Sequence, residues 1–197
     1  MKIVLASGSP RRKELLEGLG LEFEIKTADA DETIAPSTHP ETAVCSLAER
    51  KGLAAKEKHG ISDDCLIISA DTVVFYNNEI LGKPKDEADA ARMLRALSGS
   101  THQVCTGIAL TYGGRTVSRP VTTDIIFREL SDEEINAYVN TKEPLDKAGA
   151  YGIQARASMF VTAIRGDYFA TVGLPICPLV TLAKEEFDID LGDLILR

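Results

Sequence analysis

The sequence predicts an α/β fold. Short apolar runs of strand length alternate with segments of helical period along the whole chain. Glycine-, proline- and asparagine-bearing turns separate them. No internal repeat, low-complexity stretch or long linker interrupts the alternation. At 197 residues, a single domain, if need be with two lobes, is the natural organisation.

KIVLA (2–6) reads as a short buried strand. Ser7-Gly8-Ser9 turns the chain, and Pro10 suits a first helical position with Ser9 as N-cap. Leu15, Leu16 and Leu19 give that helix an apolar side, and Gly18 or Gly20 ends it. Residues 21–27 read as a second strand, and 28–38 as a polar, acidic loop. Thr38-x-x-Glu41 has the pattern of a capping box opening a long helix to about His59. CLIISADTVVF (65–75) reads as a buried strand, which Asn77-Asn78 turns back into EILG. A helix over about 86–97 places Ala90, Met93, Leu94 and Leu97 on one face, with Gly99 as its stop. Residues 103–112 and 115–128 form a hairpin around Gly113-Gly114. Ser131-x-x-Glu134 caps the next helix, with Leu130 and Ile135 spaced as a hydrophobic staple. A loop spans 141–157, and a second hairpin over 158–164 and 167–172 turns at Gly166-Asp167. A last helix starts near Pro175 and buries Ile176, Leu179, Val180 and Ala183.

Composition narrows the function. Lys and Arg total 22 against 30 Asp and Glu, a net charge of −8. That argues against a non-specific nucleic-acid binder and against docking on an anionic membrane. It leaves room for an anionic small ligand, because a local cluster of cations can reverse the field in one cleft. No run approaches the length of a membrane span, and the N-terminal apolar stretch is short for a signal peptide. A cytoplasmic protein is the expectation. Cys45, Cys65, Cys105 and Cys177 are scattered, as are His39, His59 and His102, so zinc-site spacing is absent and the thiols are expected to be reduced.

Several places carry candidate chemistry. Ser7-Gly8-Ser9-Pro10-Arg11-Arg12 joins a strand to a helix N-terminus, where free amides, two hydroxyls and two guanidiniums suit phosphate. The same residues also fit a plain cap with two solvated arginines. Lys51 lies i+4 from Leu47 and i+3 from Ala48, on the apolar stripe of its helix. There a lysine either snorkels or meets an anion. Asp71, followed by Thr72, ends the run LIISA and needs a metal, a cation or a donor set. Asp29, Asp31 and Glu32 offer oxygen ligands for Mg²⁺, or simply a solvated loop. Lys83 follows a strand, and Gln154 ends a glycine-bearing loop with an amide able to read a base edge. Together they suit Mg²⁺-assisted chemistry on a nucleoside triphosphate.

These motifs carry a resemblance. LASGSPRRKELL (5–16), Glu32, LAERKG (47–52), ISADTVV (68–74), LGKP (81–84), MLRALSGSTHQVCTG (93–107), EPLDKAGAYGIQ (143–154) and VGLPI (172–176) resemble, in order, the Maf family of nucleotide pyrophosphatases. The resemblance implies a fold similar to inosine triphosphate pyrophosphatases: a mixed twisted sheet with flanking helices and two lobes around a cleft. It implies hydrolysis of a nucleoside triphosphate to monophosphate and pyrophosphate. KAGAYGIQ looks like the branch acting on dTTP and UTP rather than 7-methyl-GTP, with Arg11, Thr72 and Gln154 at the branch-distinguishing positions.

The implied roles follow. Asp71 and Glu32 hold Mg²⁺ or Mn²⁺; Asp71, or a water it holds, activates the nucleophile. Arg11, Arg12, Lys51 and Lys83 offset phosphate charge, Ser7 adds a donor, and Gln154 reads the pyrimidine. The family is also associated with homodimers and with inhibition of septum formation, so a nucleotide-binding regulator is one competing expectation; the other, a purine-directed pyrophosphatase, is opposed by Gln154 and left open by the altered segment 155–158. Two departures stand out. Ala155-Arg156-Ala157-Ser158 follows Gln154 where the family usually has glycines, so a backbone with φ > 0 there would be strained. Gly52 replaces a common Ala and weakens its helix slightly.

Overall fold

The computed structural model describes residues 1–35 and 37–196. The elements run β1 (Lys2–Leu5), α1 (Pro10–Gly18), β2 (Glu24–Ile25), α2 (Pro40–His59), β3 (Cys65–Tyr76), β4 (Glu79–Leu81) and α3 (Glu87–Leu97). Then follow β5 (Thr101–Tyr112), β6 (Arg115–Phe127), α4 (Asp132–Asn140), β7 (Val161–Arg165), α5 (Tyr168–Val172), α6 (Ile176–Phe187) and α7 (Leu191–Leu196). Among the described residues the strands form one mixed sheet in the order β2-β1-β3-β5-β6-β7, with β4 paired to β3. The expected α/β class is what the chain adopts.

The chain divides into two compact units. The first comprises Met1–Asp71, Thr106–Val121 and Gly173–Arg197; the second, Thr72–Cys105 and Thr122–Val172. The first unit is built on parallel pairing of β1 with β3, Ile3 opposite Leu66 and Leu5 opposite Ile68. Both strands read as continuous apolar runs because both their faces are covered. On one side Ile3, Leu5, Leu66, Ile68, Ile108 and Leu110 pack with Leu16, Leu179 and Leu182. On the other, Val4, Ala6 and Ile67 meet Ala55 and Ile61. Helix α2 lies very close to β3: a Cβ at Gly52 would stand 2.8 Å from Ser69 Oγ, so this glycine lets helix and strand approach.

In the second unit Ala90, Met93, Leu94 and Leu97 of α3 and Ile135, Tyr138 and Val139 of α4 are buried. The capping box at Ser131 forms as expected: Ser131 Oγ accepts from Glu134 N–H, and Glu134 Oε2 accepts from Ser131 N–H. Antiparallel pairing joins β6 and β7, Asp124 opposite Arg165.

Four expectations need correction. Residues 21–27 are mostly not strand: only Glu24–Ile25 pairs with β1, because Leu21 turns into the core and its N–H caps α1 through Leu16 O. The capping box at Thr38 does not form. Thr38 donates to Ala35 O instead, and His39 takes the N-cap place ahead of Pro40. Residues 167–172 are helical: Asp167 Oδ1 accepts from the N–H groups of Phe169 and Ala170, at 2.7 and 3.1 Å. That local cap overrides the strand-like composition of YFATV. Ser9 does stand at the N-cap position of α1, but its side chain makes no capping bond. Helix α7 was not anticipated; Asp190 caps it, accepting from Asp193 N–H at 3.0 Å.

Candidate active site

In the first unit, β1 delivers the chain into the turn Ser7–Ser9 and α1. Ser7 is buried, and its hydroxyl accepts from Ser9 N–H at 3.3 Å and from Arg12 NH1 at 3.1 Å. Arg12 Nε donates to Gly173 O at 2.7 Å. Arg12 is thus held in place, not solvated. Burial brings its guanidinium down to about 10, with the charge of Asp71 opposing that fall and Arg11 adding to it. It remains a cation at neutral pH. Arg11 is partly buried beside it, at the positive end of α1.

The apolar stripe of α2 turns Lys51 inward, as its spacing requires. Its ammonium meets two carboxylates: Asp71 Oδ1 at 2.5 Å and Glu32 Oε1 at 2.8 Å. Asp71 follows the buried segment 66–70 of β3 and is itself 13% exposed. Its partner is therefore obligatory: an unpaired carboxylate there would be costly. Glu32 comes from the acidic loop and is mostly exposed. The three acids of that loop part company. Asp31 accepts from Thr33 N–H at 2.9 Å, and only Glu32 reaches Lys51. Among the described residues no three His, Cys, Asp or Glu side chains gather as a metal cluster. Two carboxylates sharing one cation do fit an ion such as Mg²⁺, which takes one or two protein carboxylates and fills its shell with water and phosphate.

The second unit holds Thr72, Lys83 and Gln154. Thr72 is partly buried in β3, while Lys83 and Gln154 are exposed on loops. The loop before Gln154 is firmly built. Gly149, at φ +67°, donates to Gly82 O, and a Cβ there would meet Val74 Cγ2 at 2.6 Å. Tyr138 donates to Glu143 Oε1 at 3.0 Å and accepts from Gly152 N–H at 3.4 Å. Ala155 has φ −111°, outside the left-handed region, so the departure from glycine brings no backbone strain at that position.

Tyr151 hydroxyl lies 2.8 Å from His102 Nε2. His102 is 2% exposed, and its Nδ1 meets no hydrogen-bond partner among the described residues. Burial pushes this imidazole down to about 4. Its folded value lies below the ordinary 6.5, so the unfolded chain takes up the proton first. The stabilisation is complete above about pH 6.5 and is lost as pH falls toward 4. Chemical denaturation should show about 2 kcal/mol lost between pH 7 and 5 from this group. The His102→Gln variant should show a correspondingly flatter profile over that range.

Two features of this site were not anticipated. Gly173 O anchors Arg12, a contact across 161 residues of sequence that no local pattern signals. Arg50, next to Lys51, reaches the acidic loop; its sequence signals were adjacency to Lys51 and its place in the segment LAERKG.

The profile of the family described as Maf-like protein matches residues 2–186. This chain belongs to the Maf family. A protein of Bacillus thuringiensis subsp. konkukian (strain 97-27) named dTTP/UTP pyrophosphatase is 51% identical, covering 96% of this chain and 97% of that one. One of the same name from Bacillus cereus (strain AH820) matches to the same extent. The solved Ham1 protein of Staphylococcus aureus covers 64% of this chain and 72% of its own, at 13% identity and TM-score 0.40, too loose a match to bear on fold or function. Among the described residues no helix is long and apolar enough to cross a membrane.

Proposed function

We propose that this Maf-like protein is a pyrophosphatase that hydrolyses dTTP and UTP to the monophosphate and pyrophosphate. The observation that carries the reading is Lys51 held between Asp71 and Glu32, with Arg12 within electrostatic reach of Asp71. The names of relatives about half identical over nearly the full chain support the same reading.

Asp71 and Glu32 are the residues that would hold a divalent cation, Mg²⁺ or Mn²⁺. Such an ion, when bound, polarises a phosphoryl oxygen and lowers the pKa of a coordinated water. With a cation shared by the two acids, the charge of Lys51 would be available to the phosphates. Asp71 orients or deprotonates the attacking water. The water oxygen bonds to one phosphorus of the α–β bridge as that phosphorus loses its bond to the bridging oxygen, the water's proton passes to Asp71, and pyrophosphate leaves. Arg11, Arg12, Lys51 and Lys83 offset its charge, and Ser7 adds a donor. Thr72 and Gln154 contact the nucleotide, with the Gln154 amide reading the pyrimidine edge. We place this activity in the cytoplasm, acting on the nucleotide pool.

Pyrophosphate release with Mg²⁺ across dTTP, UTP, CTP, 7-methyl-GTP, ITP and the common purine triphosphates tests it. Turnover concentrated on dTTP and UTP is expected, and Gln154→Ala should lower kcat/KM on dTTP by roughly 10- to 100-fold. Turnover mainly on a purine would overturn the pyrimidine assignment. Binding without turnover on any nucleotide would move the protein to a regulatory class.

A further inference from the structure

We propose that Arg50 is a positioning residue that aims Glu32 at the Lys51–Asp71 pair; this rests on the role just given to Glu32. Arg50 NH1 donates to Asp31 O at 2.8 Å and to Thr33 O at 3.0 Å. Those carbonyls belong to the residues on either side of Glu32. The guanidinium is itself tied to its own helix. Nε donates to Ser46 O at 3.4 Å, and NH2 donates to Ser46 Oγ at 3.1 Å. One planar fork therefore joins α2, which carries Lys51, to the peptide units that carry Glu32.

Residues 27–35 form no helix or strand, and the side chains of Glu32 and Asp31 are 67% and 71% exposed. The Arg50–Asp31 ion pair, at 3.9 Å, adds little at such exposure. Two carbonyls bound by one guanidinium nitrogen set the backbone direction. Carboxylate ligands for a cation depend on this kind of outer support, whose loss typically costs 10- to 100-fold in metal affinity or activity. A lysine at 50 is a point charge without the fork, so it would keep the charge and lose the geometry.

The test is a double-mutant cycle between Arg50→Ala and Glu32→Gln, with Arg50→Lys alongside. Three quantities are read on the full chain. They are half-saturating Mg²⁺ for dTTP hydrolysis, the melting-temperature rise caused by Mg²⁺ alone, and amide exchange over residues 29–34. Arg50→Ala and Arg50→Lys are expected to raise half-saturating Mg²⁺ about 10-fold, to shrink the Mg²⁺-induced rise, and to speed exchange in the loop. In the Glu32→Gln background, Arg50→Ala should add almost nothing to the first two. A wild-type Mg²⁺ response in Arg50→Ala, losses that add to those of Glu32→Gln, or full rescue by Arg50→Lys would each overturn the proposal. If the parent protein hydrolyses no nucleotide, the pyrophosphatase reading fails by itself. Arg50 is then judged on the Mg²⁺-only melting shift and the exchange rates.

Discussion

Asp71→Asn is expected to lower pyrophosphate release from dTTP by on the order of 10³-fold, with little change in melting temperature. Asparagine has the shape of aspartate and can still accept a hydrogen bond from Lys51 at its present 2.5 Å place. What disappears is one negative charge at the end of a buried strand segment. That charge opposes the lowering of Arg12 by burial and shares Lys51 with Glu32. On the proposed mechanism it also holds the cation and prepares the water. One isosteric change thus removes a charge that already pairs with Lys51 at rest and that the proposed reaction also uses. The measurement is a steady-state assay on dTTP beside thermal unfolding of both proteins. Near-native turnover would remove Asp71 from the mechanism. A loss of activity matched by a large fall in melting temperature would make Asp71 structural.

Gly107→Ala is expected to give the largest loss of stability from a single methyl group, about 3 kcal/mol, lowering Tm by roughly 6–12 °C. At Gly107, β5 passes directly under α2. A Cβ there would lie 2.5 Å from the carbonyl carbon and oxygen of Val44 and 2.7 Å from Cys45 N. These are backbone atoms in the second turn of a long helix, so no rotamer change can clear them. The same helix carries Lys51, so part of the loss should appear as weakened activity below the melting transition. Gly52 is the instructive comparison. Its nearest neighbour is Ser69 Oγ, a side-chain atom that can rotate, although doing so breaks a hydrogen bond to Ala48 O. Alanine at 52 also gains helix propensity, so its net cost should be clearly smaller. Equal melting temperatures for Gly107→Ala and the parent would refute the close crossing.

Much of the site was legible in particular residues. Lys51 sits on an apolar stripe, and a buried lysine must find an anion; it does, in Asp71, which by the same rule needed a cation. The two requirements lie 20 residues apart, but each was stated by its own local pattern. From residue chemistry alone the acidic loop was legible only as a class, because Asp29, Asp31 and Glu32 are equivalent in composition; the family resemblance was what singled out Glu32. The backbone path decides that Asp31 turns back on Thr33 while Glu32 reaches Lys51. Misread elements failed for similar local reasons. YFATV has strand composition, yet one aspartate ahead of it supplies a helix cap.

By itself, then, the sequence determined what repeats locally or is stated by residue chemistry. That covers the alternation of strands and helices, the buried cores of β1 and β3, the cap at Ser131, and the acids and cations a phosphate chemistry needs. Tertiary structure alone decided which of these groups meet. Arg12 on Gly173 O, Arg50 on both carbonyls flanking Glu32, and Gly107 under Val44 are contacts between segments far apart in the chain. Their partners are mostly peptide groups, which every residue carries alike, so no side-chain pattern can announce them. Only the packed fold selects which carbonyl a guanidinium finds.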